Sequence, residues 1–149
     1  MTPLIETMPT KSRATRTGAI ETGFVAAALF VAFVTAAAPA RAEDYGPFKP
    51  MDSSIGKVLT DAKGMTLYTF DKDGPGKSNC NGECAEYWPP AAAMASDKPV
   101  GDLTIIKRDD GSLQWADGGK PLYTFKNDTK PGDTMGDKMK DVWHAVMEE

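Results

Sequence analysis

Short stretches of alternating apolar and polar residues, separated by Gly, Pro and Asp, run from about residue 55 to the C-terminus and predict strands joined by turns. Lys57-Val58-Leu59-Thr60 and Met65 to Phe70 flank Asp61-Ala62-Lys63-Gly64, a turn whose Gly permits a positive φ, so the two runs read as a hairpin. Further on, Leu103 to Lys107, Ser112 to Trp115 and Pro121 to Phe125 are divided by Asp109-Asp110-Gly111 and Asp117-Gly118-Gly119, the pattern of a three-stranded meander. Val142 to Met147 fits a closing strand. The one helical candidate is short, Glu83 to Tyr87, and Trp88-Pro89-Pro90 ends it because a residue before Pro is driven out of the helical region. Thr129 to Asp137, with Pro131, Gly132 and Gly136, reads as a long loop.

The pattern repeats. Leu67-Tyr68-Thr69-Phe70 recurs 55 positions later as Leu122-Tyr123-Thr124-Phe125, Gly64 falls on Gly119, Asp73 on Asp128 and Trp88 on Trp143. The same offset superposes Cys80 on Met135 and Cys84 on Met139. Two copies are therefore expected, about 55–93 and 103–147. A unit that small cannot bury its own apolar face, so the copies should pack against each other. The expected architecture is mainly β: a small single domain of two fused β-meander repeats with approximate two-fold pseudo-symmetry and one short helix near Glu83–Tyr87. In each Leu-Tyr-Thr-Phe unit the Leu and Thr face one side and the aromatic residues the other, so Tyr68, Phe70, Tyr123 and Phe125 can share a core layer with Trp88, Trp115 and Trp143.

These residues resemble a family of bacterial secreted repeat proteins, the predicted lipoproteins with a Y-x-[FWY]-x-x-D motif. Tyr68-x-Phe70-x-x-Asp73 carries the motif once and Tyr123-x-Phe125-x-x-Asp128 carries it again. Cys80-x3-Cys84-Ala85, Trp88-Pro89-Pro90 and Trp143-His144-x-Val146 also look like family features, and the likeness covers most of 55–147. What it implies is an exported repeat protein without an agreed biochemical activity.

The N-terminus points the same way. Lys11, Arg13 and Arg16 precede a 16-residue uncharged run, Gly23 to Ala38, and Ala40-Arg41-Ala42 supplies a small-x-small cleavage pattern. Residues 1–42 are expected to be a signal peptide and 43–149 the secreted domain. No Cys adjoins the expected cut, so the expectation is a soluble periplasmic or secreted protein with neither a lipid anchor nor a membrane span after cleavage. Of the whole chain's 17 basic and 21 acidic residues the leader holds four and two, which leaves 13 against 19 and a net charge of -6. That balance excludes a nucleic-acid partner, which calls for a basic surface.

Candidate chemistry is sparse. Two Cys and a single His cannot complete a four-ligand zinc site, and a hydrolase would have only loop carboxylates to work with. Asp71-Lys72-Asp73 opens like a calcium loop, but its fifth position is Pro75 and its twelfth is Gly82. Asp73 and Asp128 are expected to accept backbone amides in the turns after the aromatic strands. Cys80 and Cys84 form a disulfide in the first reading, since disulfides persist outside the cytoplasm. In the second they are soft ligands for copper together with His144 and Met139. Met135 and Met139 can instead be apolar filler where the first copy has its sulfurs. The functional expectation is a non-enzymatic envelope or periplasmic protein, structural or binding an envelope protein or small ligand, with no resident cofactor; the alternative is a copper-binding or redox accessory protein. Exported protein should begin at Glu43 by intact mass, and an uncut N-terminus would refute the leader assignment.

Overall fold

The computed structural model describes residues 43–149. The expected leader, 1–42, lies outside them. Seven strands and one helix follow in order: β1 (Lys49–Ser53), β2 (Gly56–Thr60), β3 (Tyr68–Phe70), α1 (Glu83–Tyr87), β4 (Leu103–Lys107), β5 (Leu113–Asp117), β6 (Lys120–Pro121) and β7 (Trp143–Ala145). A 3-10 turn at Met139–Asp141 leads into β7. All sheet pairings are antiparallel: β1 with β2, β3 with β7, and β4-β5-β6 in sequence.

Local chemistry accounts for most of these elements. Gly64 takes the positive φ its turn requires, +82°, and Gly119, its counterpart in the second copy, has +81°. Helix α1 stops at Trp88, ahead of Pro89. The hairpin after β2 is real but slight. Thr60 bridges Thr66 and the Leu67 N–H donates to the Leu59 carbonyl at 2.9 Å, yet the main partner of β2 is β1, in register from Lys49↔Thr60 to Ser53↔Gly56. The alternation pattern passed over β1 because Lys49-Pro50-Met51-Asp52-Ser53 is mostly exposed and carries a Pro. In the second copy the meander forms as expected, but β6 is only two residues long. The Leu122 N–H still donates to the Trp115 carbonyl at 2.9 Å, and Tyr123 to Phe125 then leave for partners elsewhere.

Those partners define the architecture. The Tyr68 N–H donates to the Tyr123 carbonyl at 2.8 Å, and the Tyr123 N–H donates back to the Tyr68 carbonyl at 2.9 Å. Around this reciprocal pair, each motif strand is completed by the Trp segment of the other copy. Val146 donates to the Leu67 carbonyl (2.9 Å) as Ala91 does to Leu122 (2.8 Å), and Asp71 donates to Val142 as Lys126 does to Tyr87, both at 2.9 Å. Every member of these pairs sits 55 positions from its counterpart. The register shifts by one residue only at β2 and β5, where Leu59 donates to Val146 (2.9 Å) as Trp115 does to Ala91 (2.8 Å). The first copy thus carries one extra residue ahead of Gly64.

Side-chain alternation sorts the interior into two clusters. Tyr68, Trp88, Tyr123, Phe125 and Trp143 gather on one side with Val58, Cys80 and Ala145. Leu59, Leu67 and Leu122 gather on the other with Phe48, Leu103 and Trp115. Trp115 therefore does not join the shared aromatic layer: β5 turns it to the opposite face, where it meets Phe48 edge-on with ring centroids 5.8 Å apart. Gly136 presses on the aromatic cluster, since a Cβ there would come within 2.7 Å of Trp88 Cη2 and 3.0 Å of Tyr68 Cε1. Both neighbours are rigid rings. Gly136→Ala should lower stability by about 1–3 kcal/mol, an overpacking cost, to be read from the shift in denaturant midpoint; an unchanged midpoint would mean that the rings can move aside.

Candidate functional site

The aromatic residues of the two copies form a column of four rings. Phe70 stacks on Trp143 (centroids 4.2 Å apart, planes 15° apart), Trp143 on Trp88 (3.7 Å, 2°) and Trp88 on Phe125 (4.3 Å, 27°). The copies alternate along it. Tyr68 meets Trp88 edge-on at 5.4 Å and Tyr123 meets Trp143 edge-on at 5.2 Å, the T-shaped geometry that ring quadrupoles favour.

Polar groups lock the column from behind, and they do so crosswise. The Tyr68 hydroxyl donates to Asp128 Oδ2 at 2.6 Å and the Tyr123 hydroxyl donates to Asp73 Oδ2 at 2.7 Å, so the Tyr of each motif binds the Asp of the other. The second oxygen of each carboxylate accepts a backbone amide of its own copy, Asn79 N–H on Asp73 at 2.7 Å and Met135 N–H on Asp128 at 2.9 Å. The amide role was legible in the sequence; the crossed hydroxyl was not. Desolvation by burial raises both carboxylates above the ordinary range, against the opposing pull of these hydrogen bonds. The two Tyr hydroxyls are pushed up for the same first reason, with the adjacent carboxylate adding to the rise.

A second polar cluster escaped the sequence reading. Arg108 is buried, and it donates to Ser78 Oγ (2.7 Å), Gln114 Oε1 (2.7 Å), the Cys80 carbonyl (2.8 Å) and Asn81 Oδ1 (3.1 Å). Ser78 Oγ lies 2.7 Å from the Tyr123 hydroxyl, which ties the cluster to the motif. An Arg next to Asp109-Asp110-Gly111 reads as solvated turn, so no local signal announced its burial.

On the front, Phe70 is half-buried while Trp88, Phe125 and Trp143 are only 4–5% exposed. A cleft of about 530 Å³ is lined by all four rings, by Tyr87 and Val142, by Cys84 and Met139, and by Lys72, Asn127, Glu83 and Lys140. Most of this lining falls into pairs 55 positions apart, which places the cleft on the pseudo-two-fold axis.

Cys80 and Cys84 are joined in a disulfide with Cα atoms 5.2 Å apart. Met139 occupies the matching position opposite Cys84, half-buried against the aromatic core, whereas Met135, the counterpart of Cys80, is exposed. The copper set of Cys80, Cys84, His144 and Met139 is not assembled. Both sulfurs are engaged with each other, and antiparallel pairing with Thr69 carries His144 to the sheet surface, where its Nε2 lies 2.9 Å from Asp71 Oδ2. Among the described residues no cluster of three or more His, Cys, Asp or Glu is arranged to hold a metal ion.

Two fused copies that complete one another around a shared aromatic column define a class of intrachain pseudo-dimers. The chain belongs to the Lipoprotein_15 family, described as a secreted repeat of unknown function, whose model matches twice, at 49–92 and 104–147. The first match begins at β1, the strand the alternation pattern overlooked. No curated protein and no solved structure matches the chain. Among the described residues no helix is long and apolar enough to cross a membrane.

The sign of the phenol shifts gives an alkaline test. An acid whose folded pKa is raised contributes stability that is present at lower pH and lost as pH rises through and beyond its unfolded value, about 10 for Tyr. Absorbance of phenolate should show Tyr68 and Tyr123, two of the four tyrosines, ionising only as the fold opens, with near-ultraviolet circular dichroism lost in step. Ionisation of all four while the folded spectrum persists would contradict the burial argument.

Proposed function

We propose that the protein is an exported, soluble, non-enzymatic binding module of the envelope or periplasm, and that its ligand lies in the cleft over the ring column. The observation that carries this reading is the cleft itself, about 530 Å³ lined by Phe70, Trp88, Phe125 and Trp143 and opening on the pseudo-two-fold axis. Ligand sites are concave and mostly apolar, with a few placed polar groups, and they favour interfaces between structural units. Here Lys72, Lys140, Asn127 and Glu83 supply the polar groups. The motif Tyr hydroxyls do not direct the ligand, because Tyr68 and Tyr123 spend theirs on Asp128 and Asp73. For the same reason the motif carboxylates are a poor basis for catalysis. Structural use of the column and ligand binding above it are compatible, since the largely buried rings form a fixed floor and Tyr87, Lys72 and Lys140 supply exposed walls.

The cleft has an aromatic floor, and Lys72 and Lys140 outnumber Glu83 on its walls. A planar aromatic anion suits that combination. Anilinonaphthalene sulfonate should bind the folded protein with about one equivalent and quench the indole emission of Trp88 and Trp143. Tyr87→Ala, at an exposed position on the cleft wall, should weaken binding by roughly fivefold or more, equivalent to about 1 kcal/mol, with little change in Tm. Probe uptake that is unaffected by Tyr87→Ala, or no uptake by the folded protein, would refute the assignment of the cleft.

A further inference from the structure

We propose that Cys80–Cys84 is a redox-active disulfide that exchanges with dithiols through Cys84 while the domain stays folded, with the buried Arg108 stabilising the Cys80 thiolate that results. The two sulfurs differ in access. Cys80 is fully buried, whereas Cys84 is half-buried and lines the cleft. An attacking thiolate can therefore reach one sulfur only, the division of labour that thiol–disulfide exchange requires.

The chemistry balances without any further reactant. A thiolate of the dithiol attacks Cys84 Sγ, a new sulfur–sulfur bond forms there, the Cys80–Cys84 bond breaks, and its electron pair leaves on Cys80 Sγ. The second thiol of the partner then displaces Cys84. The partner departs as a disulfide, and its two electrons and two protons remain on the Cys80 and Cys84 pair.

The leaving sulfur is where help is needed, because a buried thiolate is costly without a nearby positive charge. Arg108 supplies one. Its guanidinium donates to the carbonyl of Cys80 itself and to the side chain of Asn81, the next residue. All its acceptors are neutral oxygens, and its Nε–H has no partner among the described residues. No carboxylate there lies within ion-pair distance of it; Asp73, beyond the Tyr123 and Ser78 hydroxyls, and Asp110, in the neighbouring turn, feel its charge only from farther off. A buried cation without a contacting anion is costly in the oxidised protein, and the Cys80 thiolate provides the missing counter-charge. The disulfide also closes over only three residues, so opening it removes little of what holds the domain together.

The test uses the exported chain in buffers of reduced and oxidised dithiothreitol, with thiols counted by alkylation and mass while near-ultraviolet circular dichroism follows the fold. Two alkylated thiols in a protein that keeps its folded spectrum are expected, and reduction seen only together with unfolding would overturn the proposal. Arg108→Gln should lower the ratio of reduced to oxidised protein by about tenfold at a fixed buffer ratio, and Arg108→Lys should restore part of it. Equal ratios in wild type and a folded Arg108→Gln would overturn the role of Arg108. If Arg108→Gln does not fold, single-Cys variants decide: the Cys84 thiol in Cys80→Ser should react with a small aromatic disulfide at least about tenfold faster than the Cys80 thiol in Cys84→Ser. Comparable rates would overturn the assigned direction of attack. None of these readouts depends on a ligand in the cleft, so the proposal stands or falls separately from the binding assignment.

Discussion

The reciprocal contact between Tyr68 and Tyr123 is the constraint on which the other contacts depend. Two backbone hydrogen bonds fix the motif strands against each other, and from that register the remaining pairings follow. Tyr68 and Tyr123 are fully buried, and a buried hydroxyl without an acceptor costs about 1–3 kcal/mol. Asp128 and Asp73 meet that need from across the pseudo-two-fold axis. Because each carboxylate also holds a loop amide of its own copy, one group joins the aromatic core of one repeat to the loop of the other.

The crossed arrangement explains why the repeat comes in a fused pair. A lone copy would present a Tyr hydroxyl without its Asp, a motif strand without the Trp segment that completes it, and half of a ring column. Each deficit is made good by the same partner, so the two halves gain their order together. Rings stacked in the alternation Phe70, Trp143, Trp88, Phe125 pack against Tyr68 and Tyr123 on one side and form the largely buried floor of the cleft on the other. A site placed there is rigid without being closed.

Departures from symmetry mark where the copies have separate tasks. Cys84 and Met139 face the cleft from equivalent positions, one tied to Cys80 and the other a flexible thioether. Lys72 stands where the second copy has Asn127, and Tyr87 where it has Val142. Arg108 of the second copy, held by Ser78 of the first and Gln114 of its own, has no charged equivalent in the first copy, where the matching position is Ser53. The disulfide and the buried cation therefore belong to the same side of the pseudo-dimer.

Much of the fold was legible from local rules. The glycines of the turns, the Pro that ends α1, the alternation that sends Leu67 and Leu122 one way and Tyr68 and Tyr123 the other, and the offset of 55 are written in short stretches of chain. The hydrogen-bonding appetite of Asp73 and Asp128 could be read as well, though only its backbone half. What tertiary structure alone decided is which copy satisfies which group. Sequence periodicity is the same whether a motif strand pairs within its own repeat or across to the other, so the crossing of Tyr68 to Asp128 had no local signature. β1 was hidden because it is exposed and carries a Pro, although its partner β2 follows directly; the buried Arg108 was hidden because Ser78, Cys80 and Asn81 lie far back along the chain and burial is a property of the assembled core. His144 shows the converse. Its spacing from the cysteines left a shared site open, and the antiparallel register of β7 on β3 sets the imidazole beside Asp71 at the surface.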